Sequence, residues 1–87
     1  NKSALELGHS ALVVSNFTLY ASTKKGKRPS FSAAAKQPLA QQAYDAFAAA
    51  LGQQGLSEVK HGEFGADMQI TLVNDGPVTI VIDTDEW

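Results

Sequence analysis

Ser10-Ala11-Leu12-Val13-Val14-Ser15-Asn16-Phe17-Thr18-Leu19-Tyr20 is the stretch on which the fold turns. From Ser10 to Asn16 it is a short apolar run with β-branched residues, the composition of a buried strand, and Phe17 to Tyr20 extends that reading. Outward of it, Ser22 to Phe31 is rich in Ser, Thr, Lys, Gly and Pro and has no periodicity, so it reads as a surface loop. Ser32 to Lys36 reads as loop or irregular turn, because the residue before Pro38 is biased away from helix. From Pro38 to Leu51 the chain is rich in Ala and Gln, with Pro38 suited to a first helical turn and Gly52 and Gly55 just past the end. Leu39, Ala43, Ala46, Phe47, Ala50 and Leu51 recur at helical spacing and predict one apolar stripe, with Gln41, Gln42 and Asp45 facing away.

Three further strands are predicted: Glu58 to His61, Met68 to Val73 and Val78 to Asp83. In the last two, Ile70, Leu72, Ile80 and Ile82 alternate with Gln69, Thr71, Val81 and Asp83, as in strands with one buried face. Asn74-Asp75-Gly76-Pro77 between them has the composition of a hairpin turn, with its X–Pro bond expected trans on base rate. The order β, α, β, β, β is an α+β fold of mixed or antiparallel sheets packed with one main helix. At 87 residues and 44% hydrophobic content it is a single domain over 1–87, near the small end of what a hydrophobic core supports.

Composition excludes several functions. Without cysteine there is no disulfide framework, thiolate nucleophile or zinc knuckle, which suits a reducing compartment such as the cytoplasm. No apolar run has the length of a membrane span, and Asn1-Lys2-Ser3 does not lead into a secretory signal. A net charge of −2 argues against a general nucleic-acid coat protein, yet four of the seven basic residues, Lys24, Lys25, Lys27 and Arg28, fall in one Gly-containing loop. Such a cluster attracts phosphates, although a solubilising loop is the commoner explanation of a lone basic run. Among conventional catalytic groups, Ser15, Ser30, His9 and His61 lack a triad signature, and the two histidines have no ligand-spaced neighbours. Thr18 has no base beside it in sequence, and a Thr in a strand is ordinarily a β-former.

Four runs change the balance when taken in order: Ser15-Asn16-Phe17-Thr18-Leu19, then Thr23-Lys24-Lys25-Gly26-Lys27-Arg28-Pro29-Ser30-Phe31, then His61-Gly62-Glu63-Phe64-Gly65-Ala66-Asp67-Met68-Gln69, then Asn74-Asp75-Gly76-Pro77-Val78-Thr79. Together they resemble the D-aminoacyl-tRNA deacylases, and the resemblance covers nearly all of this chain but somewhat over half of the family pattern. It implies β/β/α layering, with a family N-terminal part of further strands and a helix preceding Asn1. Strands deprived of that part have unpaired edges and apolar faces, which favour dimerisation or strand exchange; Trp87, after the acidic tail, is a candidate to cover such a face.

The activity implied is hydrolysis of D-aminoacyl-tRNA, and of mischarged glycyl-tRNA, by a cytoplasmic homodimer without cofactor or metal. Ser15, Asn16, Phe17, Thr18 and Leu19 would line the ester and supply backbone donors to the oxyanion, the ribose 2′-hydroxyl assisting the water. Asn74, Gly76, Pro77, Val78 and Thr79 would form a chirality filter, a cis Gly76-Pro77 unit inserted into the partner subunit's site that excludes an L side chain by clash. Phe31, Phe64 and Met68 would hold the terminal adenosine, since unpaired bases stack on aromatic faces, although an isolated Phe is more often core. Lys24, Lys25, Lys27 and Arg28 would contact the tRNA backbone. Asn16 departs from the family's Gln, which bears on activity if that side chain orders the Thr18 backbone. Two other readings stand beside this one: a non-catalytic fragment binding the tRNA acceptor end, and a generic small α+β domain.

Overall fold

The computed structural model describes residues 1–86; Trp87, and with it the reading of that residue as a cover, lies outside the described residues. Strand β1 (Ala11–Val13) is followed by a 3₁₀ turn (Phe17–Tyr20), helix α1 (Leu39–Gln53), strand β2 (Val59–His61) and a 3₁₀ turn (Thr84–Glu86). The strands are parallel, with Ala11 opposite Val59, Leu12 opposite Lys60 and Val13 opposite His61. Parallel neighbours need a long crossover between them, and α1 supplies it, packing on β2.

The crossover helix is secured at both ends. Gln37 receives the Gln41 N–H on its side-chain oxygen at 3.1 Å, and the Lys36 carbonyl accepts from Ala40 at 3.0 Å. Past the other end Gly55 sits at φ +104°, a conformation that suits a residue without Cβ, and Leu5 Cδ1 lies 3.3 Å from where a Cβ would be. Leu5 belongs to an N-terminal turn closed by a reciprocal pair, Ser3 N–H to Glu6 and Glu6 N–H to the Ser3 hydroxyl, both 3.1 Å. Ser57 ties that turn to the start of β2, both its N–H and its hydroxyl donating to the His9 carbonyl.

Three sequence expectations are corrected. Phe17–Tyr20 does not extend the strand, because Asn16 caps a 3₁₀ turn there by accepting the Thr18 N–H. The packed face of α1 is Ala40, Tyr44, Ala48 and Leu51, whereas Leu39 and Phe47 of the expected stripe are 64% and 58% exposed. The true stripe is rotated because Tyr44 combines an apolar ring with a hydroxyl that needs a partner, and the strand carbonyls provide one. Lastly, the predicted strands at 68–73 and 78–83 are absent, and the sheet is a parallel pair, not a mixed or antiparallel one with β/β/α layers. Extended backbone becomes a strand only by pairing its N–H and C=O groups, and among the described residues 67–82 form no backbone hydrogen bonds. Ile70, Leu72, Val78, Ile80 and Ile82 consequently stay exposed, and the radius of gyration is 15.2 Å, against about 12 Å for a compact chain of this size. Among the described residues the buried apolar core is Val13 and Ala34.

Candidate active site

Both strands of a parallel pair end on the same side, and the helix crossing between them starts there, so the C-terminal strand ends and the first half of α1 enclose a common space. An open cleft of about 630 Å³ occupies it. Ser15, Asn16 and Phe17 leave β1 along one wall, Phe64 and Met68 follow β2 along another, and Tyr44 with its alanine neighbours closes the helix side. Among the described residues no Asp, Glu, Lys, Arg or His side chain lines it.

Tyr44 holds this space open. Its hydroxyl lies 3.1 Å from the Val13 carbonyl oxygen and 3.0 Å from that of Gly62, so its one proton is shared between acceptors at the ends of β1 and β2. Its ring packs on Phe64 at 5.5 Å and, edge-on, on His61 at 6.2 Å. Gly62 gives Met68 its place, for a Cβ there would fall 2.5 Å from the Met68 sulfur. Ser15 Oγ accepts the Gly65 N–H in a long 3.5 Å contact that links the two strand exits.

Hydrogen bonding within the 15–21 segment is selective. Thr18 directs both its N–H, at 3.0 Å, and its hydroxyl to Asn16 Oδ1. Leu19 N–H donates to the Asn16 carbonyl and Ala21 N–H to that of Thr18. Among the described residues the Ser15, Asn16 and Phe17 N–H groups have no partner, and all three residues line the cleft. Thr18 and Leu19 do not line it, and Leu19 is 82% exposed.

Of the residues suggested for an adenosine pocket, Phe64 and Met68 line the cleft, while Phe31 stands behind its rim, packed edge-on against Phe17 with centroids 5.2 Å apart. Lys24, Lys25, Lys27 and Arg28 are exposed on a loop pinched at its base by an antiparallel bridge between Ser22 and Ser30. Gly26, at φ +71°, lets that loop reverse. Asn74, Gly76, Pro77, Val78 and Thr79 are exposed and contribute nothing to the cleft of their own chain. The Gly76–Pro77 peptide is cis, as is Gln37–Pro38, where base rate favours trans. A Cβ on Gly76 would lie 2.7 Å from the Val78 backbone nitrogen and 2.9 Å from Asn74 Oδ1, so the turn closes on itself there. Tyr44, Tyr20 and Gln37 also line the cleft, and no sequence motif points to them. The signal for Tyr44 is its place four residues from both Ala40 and Ala48, flanked by small residues on one face.

Among the described residues the cleft is walled by uncharged side chains, several of them aromatic, at the ends of two parallel strands. The family model described as D-Tyr-tRNA(Tyr) deacylase matches residues 1–83, and the chain belongs to that family. It is 57% identical over 86 residues to a D-aminoacyl-tRNA deacylase of Cutibacterium acnes, covering 99% of this chain and 59% of that protein. A second relative, a D-aminoacyl-tRNA deacylase of Chloroflexus aurantiacus, is 58% identical over 86 residues, covering 99% of this chain and 53% of that protein. The chain thus spans between half and three-fifths of the length of these relatives.

Proposed function

We propose that the protein hydrolyses the ester of D-aminoacyl-tRNA, releasing the free D-amino acid and tRNA, with the cleft at the strand ends as its active site. The observation that supports the mechanism is a cleft wall without charged side chains beside backbone donors that have no partner among the described residues, the Ser15, Asn16 and Phe17 N–H groups. A wall of this kind offers donors and shape but no carboxylate or imidazole to act as base. The base function then falls to the substrate: the ribose 2′-hydroxyl next to the scissile ester orients the attacking water. Water oxygen bonds to the carbonyl carbon, the backbone donors stabilise the oxyanion, the carbon–oxygen bond to the ribose breaks, and the proton lost by water ends on the departing 3′-oxygen. An esterified tRNA ending in 2′-deoxyadenosine is therefore expected to react about 10²–10⁴-fold more slowly at saturation than the ribose form. Equal rates from the two esters contradict substrate assistance.

The remaining assignments follow the same reading. Phe64 and Met68 hold the terminal adenine, with Phe31 supporting Phe17. Asn74, Gly76, Pro77, Val78 and Thr79 act as a chirality filter donated to the cleft of a second protomer in a homodimer; their separation from their own cleft supports this. The filter rejects an L side chain by collision and admits D-configured or glycyl esters, in the cytoplasm where charged tRNA is used. Lys24, Lys25, Lys27 and Arg28 bind tRNA phosphates. Replacing all four by Gln is expected to raise KM and to flatten its salt dependence by about 0.7–0.9 logarithmic units for each phosphate left unneutralised. An unchanged salt slope contradicts that role.

A second reading, acceptor-end binding without turnover, is favoured by the unpaired 67–82 segment, whose apolar residues are exposed. Salt-sensitive binding of tRNA with no ester cleavage by the protein as encoded in full selects it.

A further inference from the structure

We propose that Met68 is a reversible oxidation site within the cleft: a peroxide converts its thioether to the sulfoxide, which shuts out the terminal nucleotide of the substrate until the oxygen is removed by reduction. The inference rests on the ester-hydrolysis reading above and adds a control to the same site.

Met68 is the one methionine of the chain and there is no cysteine, so its sulfur is the only one within residues 1–87. No thiol of these residues competes with it for an oxidant. The side chain is part-buried on the wall of an open cleft, where a molecule as small as hydrogen peroxide has access. On its other side the sulfur rests on Gly62, so closely that a Cβ there would lie 2.5 Å from Sδ and 3.6 Å from Cε. Gly62 is not free to move aside. Its N–H donates to the Val13 carbonyl at 3.0 Å and its own carbonyl accepts the Tyr44 hydroxyl at 3.0 Å, so shifting it breaks the tie between the two strand exits. An oxygen added to the sulfur therefore has to occupy the cleft, either directly or by pushing the side chain outward. A flexible apolar surface becomes a polar one carrying a strong acceptor, on the wall given to the adenine. In the forward step a sulfur lone pair bonds to one peroxide oxygen, the O–O bond breaks and water leaves, the sulfur being oxidised and the peroxide reduced. A thiol-dependent reductase reverses it, a pair of thiols becoming a disulfide as the oxygen departs in water.

The protein as encoded in full, treated with hydrogen peroxide, quenched with catalase and mapped by peptide mass spectrometry, tests the inference through steady-state deacylation of D-aminoacyl-tRNA before and after treatment. Uptake of one oxygen at Met68 is expected to raise KM about 10-fold or more. Methionine sulfoxide reductases A and B with dithiothreitol, one enzyme for each sulfoxide epimer, should restore the untreated KM. Met68→Leu, which nearly keeps the volume without the sulfur, should show no such rise relative to its own untreated KM. An unchanged KM at full Met68 oxidation overturns the inference while leaving the hydrolase reading in place, and so does a Met68 that stays unmodified under peroxide. An equal rise in Met68→Leu, or a loss that the reductases do not repair, places the damage elsewhere and overturns it too. No ester cleavage by the untreated protein overturns the reading, and the inference with it.

Discussion

Gly76→Ala is expected to lower kcat/KM for a D-aminoacyl-tRNA about 100-fold or more, while shifting the unfolding free energy by no more than about 0.5 kcal/mol. The added methyl would sit 2.7 Å from the Val78 backbone nitrogen and between 2.9 and 3.2 Å from the Asn74 amide atoms. A flexible side-chain tip could swing aside, but a backbone nitrogen cannot, so the 74–78 turn must change shape. The turn is exposed and outside the β1–α1–β2 frame, which is why stability is nearly indifferent. Function is not indifferent, because a filter that works by collision depends on where its walls stand to within a fraction of an ångström. Chemical denaturation and single-turnover deacylation on the same preparation measure the two effects. Activity within about threefold of the unaltered protein, a difference of less than about 1 kcal/mol, means that the turn does not serve the site.

Tyr44 carries the second large effect, and here stability moves. Tyr44→Phe removes the proton shared between the Val13 and Gly62 carbonyls and is expected to cost about 1 kcal/mol, because the Val13 oxygen still accepts the Gly62 N–H at 3.0 Å. Tyr44→Ala also removes the ring packed on Phe64 and His61 and is expected to cost about 2–4 kcal/mol, below a fully buried aromatic because Tyr44 is half-buried. The urea midpoint should fall in that order at constant slope. Since the same ring is a wall of the cleft, Tyr44→Ala should also raise KM, whereas Tyr44→Phe should leave it close to normal. Equal midpoints for Phe and Ala would mean that the ring bears no packing load.

These two residues mark what local sequence can and cannot express. The strands around Leu12 and Val59 and the helix after Pro38 are legible because each is specified within its own few residues, by β-branched content, by alanine and by glycine punctuation. Placement of Ser15, Asn16, Phe17, Phe64 and Met68 on one cleft is not legible from those elements alone, since it depends on β1 and β2 pairing in parallel, which their composition does not express. The helix face is only partly legible: Leu51 of the expected stripe packs while the equally apolar Leu39 and Phe47 do not, because the packed side is chosen by where the Tyr44 hydroxyl finds carbonyls, a partner far away in sequence. Phe17–Tyr20 looks like strand by composition and turns because one Asn16 oxygen outcompetes a neighbour that is not there. Met68–Val73 and Val78–Asp83 have the alternation of strands, and alternation describes a face to be buried without supplying the partner that pairs with it. The 74–79 turn is legible as a turn; its link to a cleft it does not touch comes from the resemblance alone.

The most direct test of the account compares the same tRNA esterified with D-tyrosine and with L-tyrosine, under single-turnover conditions with the protein as encoded in full. Release of D-tyrosine while the L-ester decays at its uncatalysed rate is the predicted result. Cleavage of both esters at equal rates would contradict selection by steric exclusion, and with it the function proposed for this site.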